Sequence, residues 1–452
     1  MDGQEGSFLS PTETRGRRDS RRSVTRRLSS LSTTRSDLFA GPAVVAPPQF
    51  LEQPSDAHDT ALAMEMAKHH LADGEDTTPP ETGPTTPTEG GQITTDKFAF
   101  AFDIDGVLIR GGQVIPEAIQ AMKMLNGQNT YNIKVPYIFV TNGGGKTEEE
   151  RCIQLSNQLQ LEVSPGQFIC GHTPMRDLAA KYKTVLVVGG DGDKCRQVAQ
   201  GYGFKDVITP GDIIKDNTDT TPFRKLTEEE YNHSVKRNYG EIEIEAIFVF
   251  ADSRDWAGDQ QIILDLCMSK NGRLGTRSAT FDEGPPVFFA HNDVIWATSH
   301  AFSRIGMGAL RASLEAMFKA ITGKELKTVA FGKPQMGTFE FATRLLQQWR
   351  KDTHGINQPP DTVYFVGDTP ESDIRGTNEF DESDRSTCDW HSILVKTGVY
   401  QDGTEPRFKP KKTVTNVFES VQYGMQREYE NALNKKGEGA VAPQIDDAVI
   451  EE

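Results

Sequence analysis

Phe98 to Phe102 is an unbroken apolar run, and it stops at two carboxylates one residue apart, Asp103 and Asp105, in "FAFDIDGVLIRGG". A strand with one wet face alternates apolar and polar residues. A run that is apolar at every position is buried on both faces, as a strand inside a parallel sheet is. Three later segments repeat the pattern. "VPYIFVTNGGG" ends on Thr141 and a glycine cluster, "KTVAFGKPQ" ends on Lys333, and "DTVYFVGDTPESDI" ends on Asp368, Glu371 and Asp373. An Asp-x-Asp before glycine is by itself an ordinary turn. A set of chemically complementary tips is less ordinary, because open α/β sheets gather ligands at the carboxyl ends of their strands.

Helical periods separate these runs. "PEAIQAMKMLN" (116–126) places Ile119, Met122 and Leu125 at helical spacing behind Pro116, a residue suited to a helix start. "TEEERCIQLSNQLQL" (147–161) begins with Thr147 as N-cap and Glu150 to complete a capping box. The alternation continues with strands over 184–190, 243–252 and 286–293 and helices over 259–269 and 308–322. A helix over 340–349 and a strand over 391–400 follow. This rhythm predicts an α/β fold with parallel sheets and right-handed crossovers. Residues 215–240 carry little apolar periodicity and read as a surface insertion.

Hydrophobic residues make up 36% of the 452, and the net charge is −16, so folded sections are diluted by polar ones. An acidic chain of this kind is a poor nucleic-acid binder. No apolar run reaches about 18 residues, so no membrane span is expected. The five cysteines (Cys152, Cys170, Cys195, Cys267 and Cys388) form no C-x-x-C pair, which reads as reduced thiols and argues against a zinc site. Residues 1–95 are Thr-, Pro- and Gly-rich in places ("TTPPETGPTTPTEGG") and are expected to be a disordered tail. Within it, "RGRRDSRRSVTRRLSSLSTTR" (15–35) sets Val24, Leu28 and Leu31 on one helical face against arginines. That resembles a mitochondrial transit peptide. The acidic opening "MDGQEG" supports a second reading, a cytoplasmic tail phosphorylated at Ser20 and Ser29. "DTALAMEMAKHHLAD" (59–73) could form a short amphipathic helix.

The ordered tips "DIDGV", "VTNGG", "GKP" and "GDTPESD" resemble the haloacid dehalogenase-like (HAD) hydrolases. The insertion of about 190 residues between Thr141 and Lys333 resembles their subfamily IIA, with the cat eye syndrome critical region protein 5-like branch the nearest pattern. The resemblance implies a Rossmann-like core over 96–146 and 328–432, an inserted α/β cap of the C2 type over 147–327, and a loose tail over 433–452. It also implies a Mg²⁺-dependent phosphatase acting through an aspartyl phosphate. Asp103 would be the nucleophile and Asp105 the acid and base. Thr141, Asn142, Gly143 and Lys333 would hold the phosphate, and Asp103, Asp105 and Asp368 would ligate the metal. Asp373 would orient Lys333. Further expectations of the resemblance are a small phosphorylated metabolite as substrate, a link to glycerophospholipid precursors, and a homodimer through the cap. The rival reading is a binding or regulatory protein with vestigial chemistry on the same fold. His291 and Asn292, at a cap strand tip, could face substrate or complete a local hydrogen bond. Trp256 in "SRDW" could line the cap or simply be buried.

Overall fold

The computed structural model describes residues 92–401 and 403–436. The expectations for the Arg-rich segment 15–35, the helix 59–73 and residues 437–452 lie outside these.

Among the described residues, two large parallel sheets carry the fold. In chain order their strands are β1 (Phe98–Phe102), β2 (Tyr137–Val140), β3 (Phe168–Ile169), β4 (Thr184–Val188), β5 (Asp206–Ile208), β6 (Ala246–Val249), β7 (Val287–Phe289), β8 (Thr328–Ala330), β9 (Thr362–Gly367), β10 (Asp389–Val395) and β11 (Lys412–Val414). The first sheet has the order β11-β10-β9-β1-β2-β3 and the second β8-β7-β6-β4-β5, parallel throughout.

Every residue of β1 is buried, and its alternation sorts the side chains into two layers. Phe98, Phe100 and Phe102 pack with Tyr364, with Met122 and Leu125 of the helix Pro116–Leu125, and with Val417 and Val421 of the helix Val417–Lys436. Ala99 and Ala101 face the other way, toward Phe339 and Leu346 of the helix Met336–His354 and toward Trp390. Alanine there leaves room for the large aromatic groups opposite. The helix Glu148–Leu159 starts at Thr147, whose side chain and that of Glu150 form the expected reciprocal cap.

Strand pairing sets the domain boundaries, and these differ from the expected ones. β3 pairs with β2, so residues 147–169 belong with the first sheet. β8 pairs with β7, so residues 328–330 belong with the second. The chain therefore crosses between domains at 170–173 and again at 331–335. At the ends, Ile93–Thr94 pairs with Ile133–Lys134, and the last helix runs on to Lys436, so order extends beyond both expected tail boundaries. The 215–240 segment is surface-exposed in part (Phe223 and Tyr231) yet folded. It holds the helix Glu228–His233 under its own Thr227–Glu230 capping box, and Lys215 Nζ donates to the Tyr231 carbonyl at 2.6 Å. Trp256 opens the helix Trp256–Cys267 and packs on the second domain's core. Among the described residues no helix is long and apolar enough to cross a membrane.

Candidate active site

In the first sheet the chain leaves β1 toward β2 on one side, while β9 lies on the other. Their boundary is a topological switch point, where parallel sheets open a crevice. The register pairs Phe102 with Val366, and the Asp103 N–H donates to the Val366 carbonyl at 2.9 Å. Asp103 and Asp368 therefore leave the sheet side by side. Carboxylate oxygens of Asp103, Asp368 and Asp373 all lie within 4.8 Å of one another. Lys333 Nζ sits 2.8 Å from Asp103 Oδ1 and 2.8 Å from Asp373 Oδ1. These contacts are close ion pairs rather than well-aligned hydrogen bonds.

Each member of the group is held by its neighbours. Asp373 Oδ2 accepts the backbone N–H of Asp368 and of Thr369, both at 3.0 Å, which folds the turn after β9 back onto its own start. Asp368 Oδ2 accepts from the Val399 N–H at 2.7 Å and its Oδ1 from the Thr369 hydroxyl at 3.1 Å. Thr141 Oγ1 accepts the Gly143 N–H at 3.0 Å, which leaves its own O–H free to donate. Gly143 lies between Thr141 and Asp105: a Cβ there would stand 3.3 Å from Thr141 Oγ1 and 3.2 Å from Asp105 Oδ2.

Burial dominates the electrostatics. It pushes Asp103 well above the ordinary carboxylate range, Lys333 pulls it back, and Asp373 and Asp368 push it further up. Burial, then the charge of Asp373, raises Asp368 to about 7. Asp105 is also raised by burial, against the opposing pull of Arg151 and Lys333. Burial pulls the Lys333 ammonium down, but Asp103 and Asp373 outweigh it and hold it above its usual value. Three clustered carboxyl groups face one ammonium, so two negative charges have no cationic counterpart when all three are ionised. Buried charge without a partner is expensive. The donor set, hard carboxylate oxygens at a buried strand edge, fits a small divalent cation such as Mg²⁺.

The family signature for haloacid dehalogenase-like hydrolases matches residues 100–205, and a second HAD-hydrolase-like signature matches 330–422. A mitochondrial hydrolase of Saccharomyces cerevisiae is 37% identical over 359 residues, covering 74% of this chain and 97% of that protein. The chain belongs to the haloacid dehalogenase-like hydrolases. It is also 40% identical over 344 residues to a cardiolipin synthase (CMP-forming)/mitochondrial hydrolase fusion protein of Schizosaccharomyces pombe, covering 76% of this chain but only 55% of the fusion protein. Among solved structures, a p-nitrophenyl phosphatase of Archaeoglobus fulgidus is 17% identical with a TM-score of 0.45, covering 73% of this chain and 100% of that one. The second α/β domain of this HAD-like hydrolase is inserted after β3 and ends with β8, just before Lys333.

Two groups of residues escaped the sequence reading. The tip of β7 reaches the site through Asp293, not through His291 or Asn292: Asn142 Nδ2 donates to Asp293 Oδ2 at 2.8 Å. His291 Nδ1 accepts the Asp293 N–H at 3.2 Å and lies 3.6 Å from Asp293 Oδ2, so it backs that carboxylate. "AHND" carried the signal, a polar tip on an apolar strand, but not the choice of residue. The second group is Glu148, Cys170 and His172 at the first domain crossing, whose donor atoms also cluster. Glu148 Oε1 and the His172 ring are already engaged. Glu148 Oε1 accepts from the Tyr202 hydroxyl at 2.6 Å, from Thr173 Oγ1 at 3.0 Å and from Arg176 at 3.2 Å. Because the Tyr202 hydroxyl donates its proton to Glu148, the 2.7 Å contact between His172 Nδ1 and the Tyr202 oxygen is donated by the ring. Burial lowers His172 to about 4 and raises Cys170 to about 12, so ring and thiol are neutral. This is a satisfied polar strut between the domains.

Proposed function

We propose that the chain hydrolyses a small phosphomonoester by way of an acyl phosphate on Asp103. The observation that carries this reading is Lys333 Nζ held between Asp103 and Asp373 beside Asp368, at a sheet switch point. A carboxylate oxygen of Asp103 attacks phosphorus, and the bond from phosphorus to the substrate oxygen breaks. Asp105, kept protonated more readily by its burial, gives that oxygen its proton. The Asp105 carboxylate then takes a proton from water. The water oxygen attacks phosphorus, the bond to Asp103 breaks, and inorganic phosphate leaves. Thr141 Oγ1 donates to a phosphoryl oxygen, the Asn142–Gly143 backbone borders it, and Lys333 balances its charge. Asp373 keeps Lys333 aimed at Asp103. A Mg²⁺ held by Asp103, Asp368 and the Asp105 carbonyl would neutralise charge on the transferring group.

A second domain that closes over the site would exclude bulk water and favour small soluble esters. The fungal relatives named as mitochondrial hydrolases support a mitochondrial location. The relative fused to cardiolipin synthase supports a phosphorylated glycerol-type lipid precursor as substrate. Hydrolysis of p-nitrophenyl phosphate with and without Mg²⁺, for wild type and Asp103→Asn, tests the proposal. Activity that needs both Mg²⁺ and Asp103 is expected, while equal rates in the two proteins would count against it.

A further inference from the structure

We infer that Asp293 is a positioning residue: a carboxylate of the second domain that fixes the Asn142 amide and, through it, Lys333. The kinetic consequence rests on the phosphatase reading above, whereas the geometric claim does not.

The Asn142 side chain is fully committed. Its Nδ2 donates to Asp293 Oδ2 at 2.8 Å and to the Lys333 carbonyl at 3.0 Å, while its Oδ1 accepts the Lys333 N–H at 2.8 Å. One side chain thus grips both backbone polar groups of Lys333. An amide has two chemically opposite ends. Turned over, it would set its oxygen against both the Asp293 carboxylate and the Lys333 carbonyl, and its NH₂ against the Lys333 N–H, three repulsive contacts in a buried place. Asp293, an acceptor-only group when ionised, reinforces the orientation in which Lys333 is clamped and holds the amide from the second domain. Lys333 then reaches Asp103 and Asp373 at 2.8 Å each.

Packing makes this link sensitive to how the second domain is seated. Gly332 has φ +76°, and a Cβ there would meet Asn142 Oδ1 at 2.5 Å and the Ala290 carbonyl at 2.9 Å. On the other crossing, a Cβ at Gly171 would meet the Ala290 and Asn142 carbonyls, each at 2.7 Å. The tip of β7 is therefore wedged where the chain enters and leaves the second domain. Its turn is braced, since the Asp293 carbonyl accepts the Gly308 N–H at 2.9 Å and the Asp293 N–H donates to His291. Displacing the domain by about an ångström would take the Asn142–Asp293 contact beyond hydrogen-bond reach and release the amide.

The experiment uses the full chain with Mg²⁺ and two readouts: calorimetric affinity for orthovanadate, a phosphate analogue, and kcat on p-nitrophenyl phosphate. Asp293→Ala should weaken orthovanadate and lower kcat, each about ten-fold. Asp293→Asn offers a carbonyl oxygen to the same donor and should stay within about three-fold of wild type. Asn142→Ala with Asp293→Ala should be no worse than Asn142→Ala alone, because residues acting through one contact are not additive. Wild-type orthovanadate affinity per folded site in Asp293→Ala, or losses that multiply in the double variant, would overturn the inference. So would an Asp293→Asn variant as impaired as the alanine. If wild type binds orthovanadate but turns over no ester, the phosphatase reading fails, and the affinity series still decides the role of Asp293.

Discussion

Replacing Lys333 by methionine removes the one ammonium among three carboxylates while keeping an unbranched side chain of similar length. The ammonium lies 2.8 Å from both Asp103 and Asp373, so each pair is worth roughly 6 kcal/mol of attraction at an effective dielectric near 20, before desolvation. Much of that offsets the cost of burying the lysine, and removing one partner of a buried pair costs about 3–5 kcal/mol because the other charge is stranded. Lys333→Met should therefore lower the stability of the first sheet by about 3–5 kcal/mol in EDTA. Adding Asp373→Asn to that variant should recover about 1–2 kcal/mol, a coupling typical of groups in contact. It removes the stranded charge, and the asparagine oxygen can still accept the N–H groups of Asp368 and Thr369. Amide exchange in Phe98–Phe102 and Thr362–Gly367, followed by mass spectrometry across a urea series, reads this locally. A double variant less stable than Lys333→Met, or a fully stable single variant at pH 8, would refute the reasoning.

The remaining predictions concern single positions. Asp105→Asn should lower turnover of p-nitrophenyl phosphate by about 10²–10⁴, the usual worth of a positioned acid and base; stopped-flow release of p-nitrophenol checks it. Burial raises Asp259, in the second domain, to about 7. The folded state then keeps a proton that the unfolded chain gives up near pH 4, so stability falls as pH rises through that window. Asp259→Asn should stabilise the second domain by about 4 kcal/mol at pH 8 and far less at pH 5, in urea melts at the two values. Gly332→Ala puts a side chain at positive φ against Asn142 and should cost about 1–3 kcal/mol of stability together with activity, measurable by thermal melts and p-nitrophenyl phosphate turnover.

The features that were legible in the sequence are the local ones. The all-apolar β1 announced a doubly covered strand, and Thr147–Glu150 announced its helix start, because each signal sits within a few residues. The converging tips were legible as a set, since the switch-point geometry acts on any parallel sheet. Features that depend on distant partners were not. Two residues, Phe168–Ile169, are too short to read as a strand, and only their pairing with β2 assigns 147–169 to the first domain. Val417, Val421 and Met425 recur at helical spacing and are buried against β1 and β9, yet polar neighbours hid them. Asp293 stands beside two other polar residues, and only the fold brings it to Asn142, 151 positions earlier.

The most direct measurement of the central claim is chemical trapping of the acyl phosphate on Asp103. Steady-state hydrolysis of a phosphomonoester with Mg²⁺, quenched in acid and reduced with borohydride, converts an aspartyl phosphate into homoserine. Peptide mass spectrometry should find homoserine at position 103, absent from unreacted protein. Sustained turnover with residue 103 unmodified, or with the label on another carboxylate, would contradict the account.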